Sequence, residues 1–532
     1  MLILSNAKIY TQDANQSIAE AIAIQPLPDS AGRIIALGES NQLLQEFGSR
    51  AVVQDMGGQT IWPGLIDSHM HLKGFALGLD HVDADTSTRA ECIERVASRV
   101  RQSEPGQWII GHGWKQQEWP EGFGDAALLD EVSPHNPVYL SAASLHAAWV
   151  NSSALKVAGI KASTPDPRNG RIQRLENGEA SGILFEMAIP LVSRAIPEPS
   201  QEMIVGAIRS AQEQLWGMGL TGVHDFDRRP SFEALQTLRQ RDELQLRVLK
   251  SLPVELLDHA VELGLHSGFG DDLLRIGSIK VFADGALGPR TAAMLDPYEN
   301  EPDNKGMLFV DAEELFEKAQ IAAKAGLSMA VHAIGDRANH QVLNAYEQLR
   351  KFEKQEDLTA LRHRIEHVQS LHLDDFTRFA QLNVTASVQP KFATTDMFAA
   401  EKSWGERSQS SYAWKKLLDL NTQLAFGSDA PVETPNPFGG LHAAVTRQRT
   451  DGSPGPDGWI PAQRLSLHQA LEAFTLGPAY LAGMETRQGR LAPSYLADLI
   501  VLNENPFKVK ADELHNLKPQ ATMVGGNWVW QA

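Results

Sequence analysis

Eight short apolar runs, separated by helical patterns, constrain this chain more than any other feature. GLIDSHMH (64–71), TGVHDF (221–226), LRVLKSL (246–252) and IGSIKVFAD (276–284) come first. LSMAVHAIGD (327–336), RHRIEHVQ (362–369), NVTASVQP (383–390) and TQLAFGSDA (422–430) follow. Amphipathic stretches such as SFEALQTLRQRDEL and AEELFEKAQIAAKAG lie between them. Strands alternating with helices predict parallel β-α-β units, and eight of them predict an α/β fold closed into a (β/α)8 TIM-like barrel. The count leaves residues 75–200 as a long insertion after the first strand. An insertion of that length carries a function or a structure of its own.

The two chain ends read alike. LILSNAKIYT, AIAIQPL, RIIALG and AVVQDMGG near the start, and ADLIVLNENP and ATMVGGNWVWQA near the finish, are short strand-like runs between polar or Gly/Pro turns. Neither end has the apolar surface for a core alone. We therefore expect one small β-sandwich composed of 1–62 and 486–532, with the barrel over 63–485 and the 75–200 insertion within it. A formal charge of −18 without a basic cluster argues against nucleic acid as a partner. The single cysteine, Cys92, excludes an intrachain disulfide and a thiolate metal site. The opening MLILSNAKIYTQD does not read as a signal peptide, and no apolar run reaches the roughly 18 residues that span a bilayer. A cytoplasmic protein without a membrane partner is the expectation.

Active sites of such barrels sit at the carboxyl ends of the strands. His69 and His71 end the first strand, and residues two apart on a strand share a face. Lys280, His332, His367 and Asp429 end the fourth, fifth, sixth and eighth. One strand-end histidine is an ordinary core residue. Four imidazoles and a carboxylate on one rim suit zinc or a similar divalent ion. Lys280 sits in a strand that is apolar on both sides of it. Desolvation favours its neutral amine, which can capture carbon dioxide as a carbamate able to bridge two cations. The same lysine could instead snorkel to the rim or pair with Asp284, and the residues alone leave these readings open.

PGLIDSHMHL, SIKVFADGALGPRTAAM, VHAIGD, RIEHVQ and FGSDAPVE together resemble the amidohydrolase superfamily, over nearly the whole chain. The resemblance is to its YtcJ-like subgroup, which includes N-substituted formamide deformylases. It implies a first metal on His69, His71 and Asp429 and a second on His332 and His367, with carboxylated Lys280 as the bridge. It further implies a small-molecule substrate, an amide or formamide whose non-peptide C–N bond is attacked by hydroxide generated at the metal. Asp429 would take the proton and return it to the leaving amine.

The insertion segments GHGWKQQEWPEGF and SLHAAWVN resemble subgroup segments that cover the active site. His112, Trp114, His146 and Glu186 are the candidate substrate contacts there. His224, Asp284 and Arg290 are candidates on the barrel; His224 could also support the site from behind, and Asp284 and Arg290 could also pair to order their loop. The subgroup often reads Gly-Arg-Gly-Trp where this chain has Gly111-His112-Gly113-Trp114. Two other readings keep the scaffold: an esterase, lactonase or phosphoesterase, and a non-catalytic assembly module, which would be expected to have lost ligands. A homodimer is compatible with the sequence.

Overall fold

A computed structural model describes residues 1–14, 17–28, 30–116, 119–143, 146–168 and 170–532. It divides into two compact units, Met1–Phe75 with Ile204–Ala532, and Ala76–Met203.

The first unit contains the barrel. Its strands are β1 (Leu65–Met70), β2 (Leu220–Asp225), β3 (Arg247–Pro253), β4 (Leu274–Phe282), β5 (Met329–Ala333), β6 (Arg364–His367), β7 (Thr385–Val388) and β8 (Leu424–Phe426). They form one sheet in this order, with every neighbouring pair parallel. All six residues of β1 and of β2 are buried, as strands covered on both faces should be. The seam between β8 and β1 is joined just beyond β8. There Asp429 N donates to the His69 carbonyl at 2.7 Å and His71 N to the Ala430 carbonyl at 2.8 Å. Asp67 reinforces the seam by accepting from Ser428 N at 3.0 Å and Ser428 Oγ at 2.5 Å. A side chain at Gly427 would place its Cβ 2.5 Å from His69 N, so this close approach requires glycine.

Two further sheets lie in the same unit. One orders Arg33–Gly38, Ala21–Gln25, Leu2–Ser5 and Val52–Asp55. The other combines both chain ends, running Asn527–Gln531, Pro519–Val524, Leu499–Leu502, Thr60–Pro63, Lys8–Tyr10 and Ile18–Ala19. Leu4, Ile22 and Ile24 of the first share one buried cluster with Ile9, Ile61, Leu499 and Met523 of the second.

The second unit has its own six-stranded sheet, from Gly170–Arg174 through Ala180–Glu186, Ala147–Val150, Val138–Ala142 and Ile109–Trp114 to Val82–Asp83. Trp114, Trp119 and Trp149 are buried together in its core. Four residues of the two insertion segments quoted above, Gln117, Glu118, Ser144 and Leu145, lie outside the described residues.

Candidate metal centre

Among the described residues, donor atoms of His69, His367 and Asp429 all lie within 4.8 Å of one another. The ends of β1 and β6 and the turn after β8 bring them there. His69 Nε2 is 3.5 Å from Asp429 Oδ1, and His71 Nε2 is 3.6 Å from the same oxygen. The His332 ring centroid lies 4.6 Å from that of His367. The chain reaches these positions through left-handed backbone at His367 (φ 74°), Val368 (φ 45°) and Asp429 (φ 60°). Such conformations at residues other than glycine concentrate at functional sites.

Each imidazole has one nitrogen committed elsewhere. His69 Nδ1 donates to Glu366 Oε2 at 2.7 Å and His71 Nδ1 to Asp227 Oδ1 at 3.3 Å. His332 Nε2 donates to the Gly285 carbonyl at 2.9 Å, and His367 Nδ1 to Gln389 Oε1 at 2.8 Å. These partners leave a lone pair on His69 Nε2, His71 Nε2, His332 Nδ1 and His367 Nε2. His69 Nε2 is buried without any hydrogen-bond partner among the described residues. A neutral ring oriented by an acceptor on its far nitrogen is the form in which histidine binds a metal.

The surroundings favour the neutral form of His69, His332 and His367. Burial, with the Lys280 charge adding to it, lowers His332 to about 3 and takes His69 well below its ordinary value. Burial and the neighbouring His332 do the same to His367. For His71 burial also lowers the value, but its hydrogen bond to Asp227 and the charge on Asp429 outweigh burial and raise it. Burial pushes Asp429 up to about 6. Burial brings Lys280 down to about 8, against the pull of Glu366 and Asp429. The Lys280 ammonium lies 4.6 Å from the Phe226 ring and 5.0 Å from the Phe282 ring. It makes no ion pair among the described residues, and Asp284 is committed elsewhere. Asp284 accepts from Ala293 N and Gly335 N at 2.8 Å each and from Ile334 N at 3.0 Å, and sits 3.4 Å from His332 Nε2.

Sequence reasoning did not find Arg364 and Glu366, which orient His69. Glu366 is gripped by Arg364 through Nε to Oε1 at 2.5 Å and Nη2 to Oε2 at 2.8 Å. Burial alone would raise Glu366, but this guanidinium outweighs burial and keeps it a carboxylate. Arg364 Nη1 also donates to His224 Nδ1 at 2.9 Å. His224 is thus fully enclosed and acts through Arg364 and Glu366 on His69. Arg290 pairs with Glu301, not with Asp284, and so orders its own loop. In the second unit, Trp114 donates Nε1 to the Leu140 carbonyl at 2.9 Å and packs in that unit's core, the placement of a packing residue and not of a substrate contact. His112 is exposed, with Nδ1 2.9 Å from Ser141 Oγ. His146 Nδ1 donates to Glu186 Oε2 at 3.0 Å, and both side chains are exposed.

The imidazoles, Lys280 and Asp429 line a cavity of about 410 Å³ whose other walls include Phe282, Leu287, Phe392 and Val432. No helix among the described residues is long and apolar enough to cross a membrane.

Comparison with known proteins agrees with this architecture. The sequence profile of the amidohydrolase family matches residues 52–530. The chain is 31% identical to the YtcJ protein of Bacillus subtilis (strain 168), covering 98% of each chain. It is 29% identical to the N-substituted formamide deformylase of Arthrobacter pascens, over 99% of this chain and 97% of that one. The crystal structure of an uncharacterized metal-dependent hydrolase from Pyrococcus furiosus superposes with a TM-score of 0.78 at 28% identity, covering 95% of this chain and all of the other.

Proposed function

The chain belongs to the amidohydrolase family of metal-dependent hydrolases, in its YtcJ-like subgroup, and from that premise we propose that it hydrolyses a non-peptide C–N bond, of amide or formamide type, in a small molecule. The observation that carries this reading is the convergence of His69, His367 and Asp429 within 4.8 Å, with His69 Nε2 buried and without a hydrogen-bond partner among the described residues. The relative named as a formamide deformylase supports the bond type.

Neutral imidazoles with a carboxylate fit zinc or a similar divalent ion. His69, His71 and Asp429 would hold one ion and His332 and His367 a second, with Lys280 between them. Bound there, such ions supply Lewis acidity and lower the pKa of water. With its carboxyl held at about 6, Asp429 is ionised at neutral pH and able to exchange a proton. It takes the proton of the attacking water as the new C–O bond forms. It then delivers that proton to the departing nitrogen as the C–N bond breaks. With its value lowered to about 8, Lys280 keeps a neutral fraction at pH 7. Its nitrogen adds to the carbon of carbon dioxide, a proton leaves to solvent, and an anionic carbamate results.

Elemental analysis of protein purified without chelator, paired with an assay panel of formamides, N-acyl amino acids and esters, tests the reading. We expect one to two equivalents of divalent metal and turnover confined to C–N substrates. Undiminished hydrolysis by metal-free protein refutes the metal role, and selective ester cleavage refutes the bond type.

A further inference from the structure

Two residues beyond His367, the Gln369 side chain forms part of the cavity wall and is 97% buried, with 3% exposed. Its Oε1 is buried without a partner, and its amide nitrogen makes no hydrogen bond among the described residues. Asp396 lines the same cavity. It accepts the Tyr412 hydroxyl on Oδ2 at 2.9 Å, and its Oδ1 receives no side-chain donor and no ion pair among the described residues. Tyr412 braces both groups, because its backbone N also donates to the Gln369 carbonyl at 2.7 Å. Phe392, four residues before Asp396, stacks at 22° on His367 with centroids 6.4 Å apart. An apolar wall therefore starts at the ligand cluster and continues one helical turn to a carboxylate.

A buried acceptor left unpaired is unfavourable by more than a typical hydrogen bond returns, so Gln369 Oε1, in one cavity with the half-buried Asp396 carboxylate, points to a ligand that brings donors. An ammonium brings three donors, no acceptor and the opposite charge. We propose that Gln369 and Asp396 form a subsite for a protonated amine, so that the preferred substrates are amides bearing a cationic amino group beyond a short apolar spacer. The substrate class rests on the amide-hydrolase reading above; the subsite itself does not. Burial, with the Glu433 charge adding, pushes Asp396 up to about 6, which leaves it ionised at neutral pH and able to pair with a cation.

N-formyl-1,5-diaminopentane and N-formylhexylamine differ only in an ammonium against a methyl at the end of the arm. With the metal-loaded enzyme, kcat/KM should favour the ammonium compound roughly tenfold to a hundredfold, the range of a charge-assisted hydrogen bond. That ratio should fall toward one in Asp396→Asn and shrink in Gln369→Met. The ratio is internal to each variant, so partial loss of folded protein does not alter it. Calorimetry with 1,5-diaminopentane and the uncharged 1,5-pentanediol gives a second readout that needs no turnover. Diamine binding weakened in Asp396→Asn supports the subsite even if neither formamide is cleaved, a result that would sink only the amide-hydrolase reading. Equal or better use of N-formylhexylamine, or equal or better binding of 1,5-pentanediol, by the wild type overturns the proposal, as does a ratio unchanged in both variants.

Discussion

Glu366 Oε2 accepts a hydrogen bond from His69 Nδ1 at 2.7 Å, and both side chains are fully buried. The bond fixes the tautomer, so the Nε2 lone pair of His69 faces His367 and Asp429. Replacing Glu366 by Gln should weaken metal affinity by roughly 10–100-fold, the usual effect of losing a ligand's supporting carboxylate. Competition with a chromophoric chelator measures this without turnover. Wild-type affinity in a folded Glu366→Gln protein would show that the ring is held by its surroundings alone.

Lys280, buried between two phenyl rings and outside any ion pair among the described residues, should be indispensable as an anion rather than as a cation. Lys280→Ala should lose activity and regain part of it when acetate or propionate is supplied. Metal content must be followed in parallel. If carboxylate rescue fails while the metal content matches wild type, the bridging role is refuted.

Away from the centre, His442 is 3% exposed, and burial together with the nearby His515 lowers it to about 4. An imidazole held below its free value binds its proton more readily when unfolded. Its contribution to stability is therefore present above about 6.5 and is lost as pH falls toward about 4. The urea midpoint should drop between pH 7 and pH 5, and drop less in His442→Gln. Parallel pH profiles for the two proteins would remove His442 as a cause.

Trp114→Ala should destabilise the protein by about 3–5 kcal/mol, as large aromatic truncations in cores do. Its effect on turnover should be the same for every substrate. His112→Ala, at an exposed position, should stay within about 0.5 kcal/mol of wild type. Thermal melts run beside the amide panel check both. A substrate-dependent change in Trp114→Ala at unchanged stability would return this residue to recognition.

The barrel was legible because short strand-like runs alternate with helical patterns, and His69, His71, Lys280, His332, His367 and Asp429 punctuate the strand ends. The supporting residues were not. Glu366 and His69 are 297 positions apart, and a side chain that holds a ligand across the barrel leaves no local spacing to read. Trp114 escaped for a different reason. Alternation would put it on the same face as His112, but the strand bulges between them at Gly113, whose φ is 110°. His112 stays exposed and Trp114 turns into the core. Asp284 and Arg290 suggested a pair by proximity in sequence, whereas backbone amides and Glu301 offered each a better partner.

The seam has a consequence for biosynthesis. Asp429 hydrogen-bonds His69 across it, so the first and last ligands of the proposed centre meet only when strands separated by most of the chain are side by side. Domains fold as their residues emerge from the ribosome. A nascent chain that has exposed His69, His71, His332 and His367 still lacks Asp429, and so lacks the carboxylate that completes the cluster. Tight metal capture should thus be a late event, withheld from truncated chains and granted only when the ring is whole.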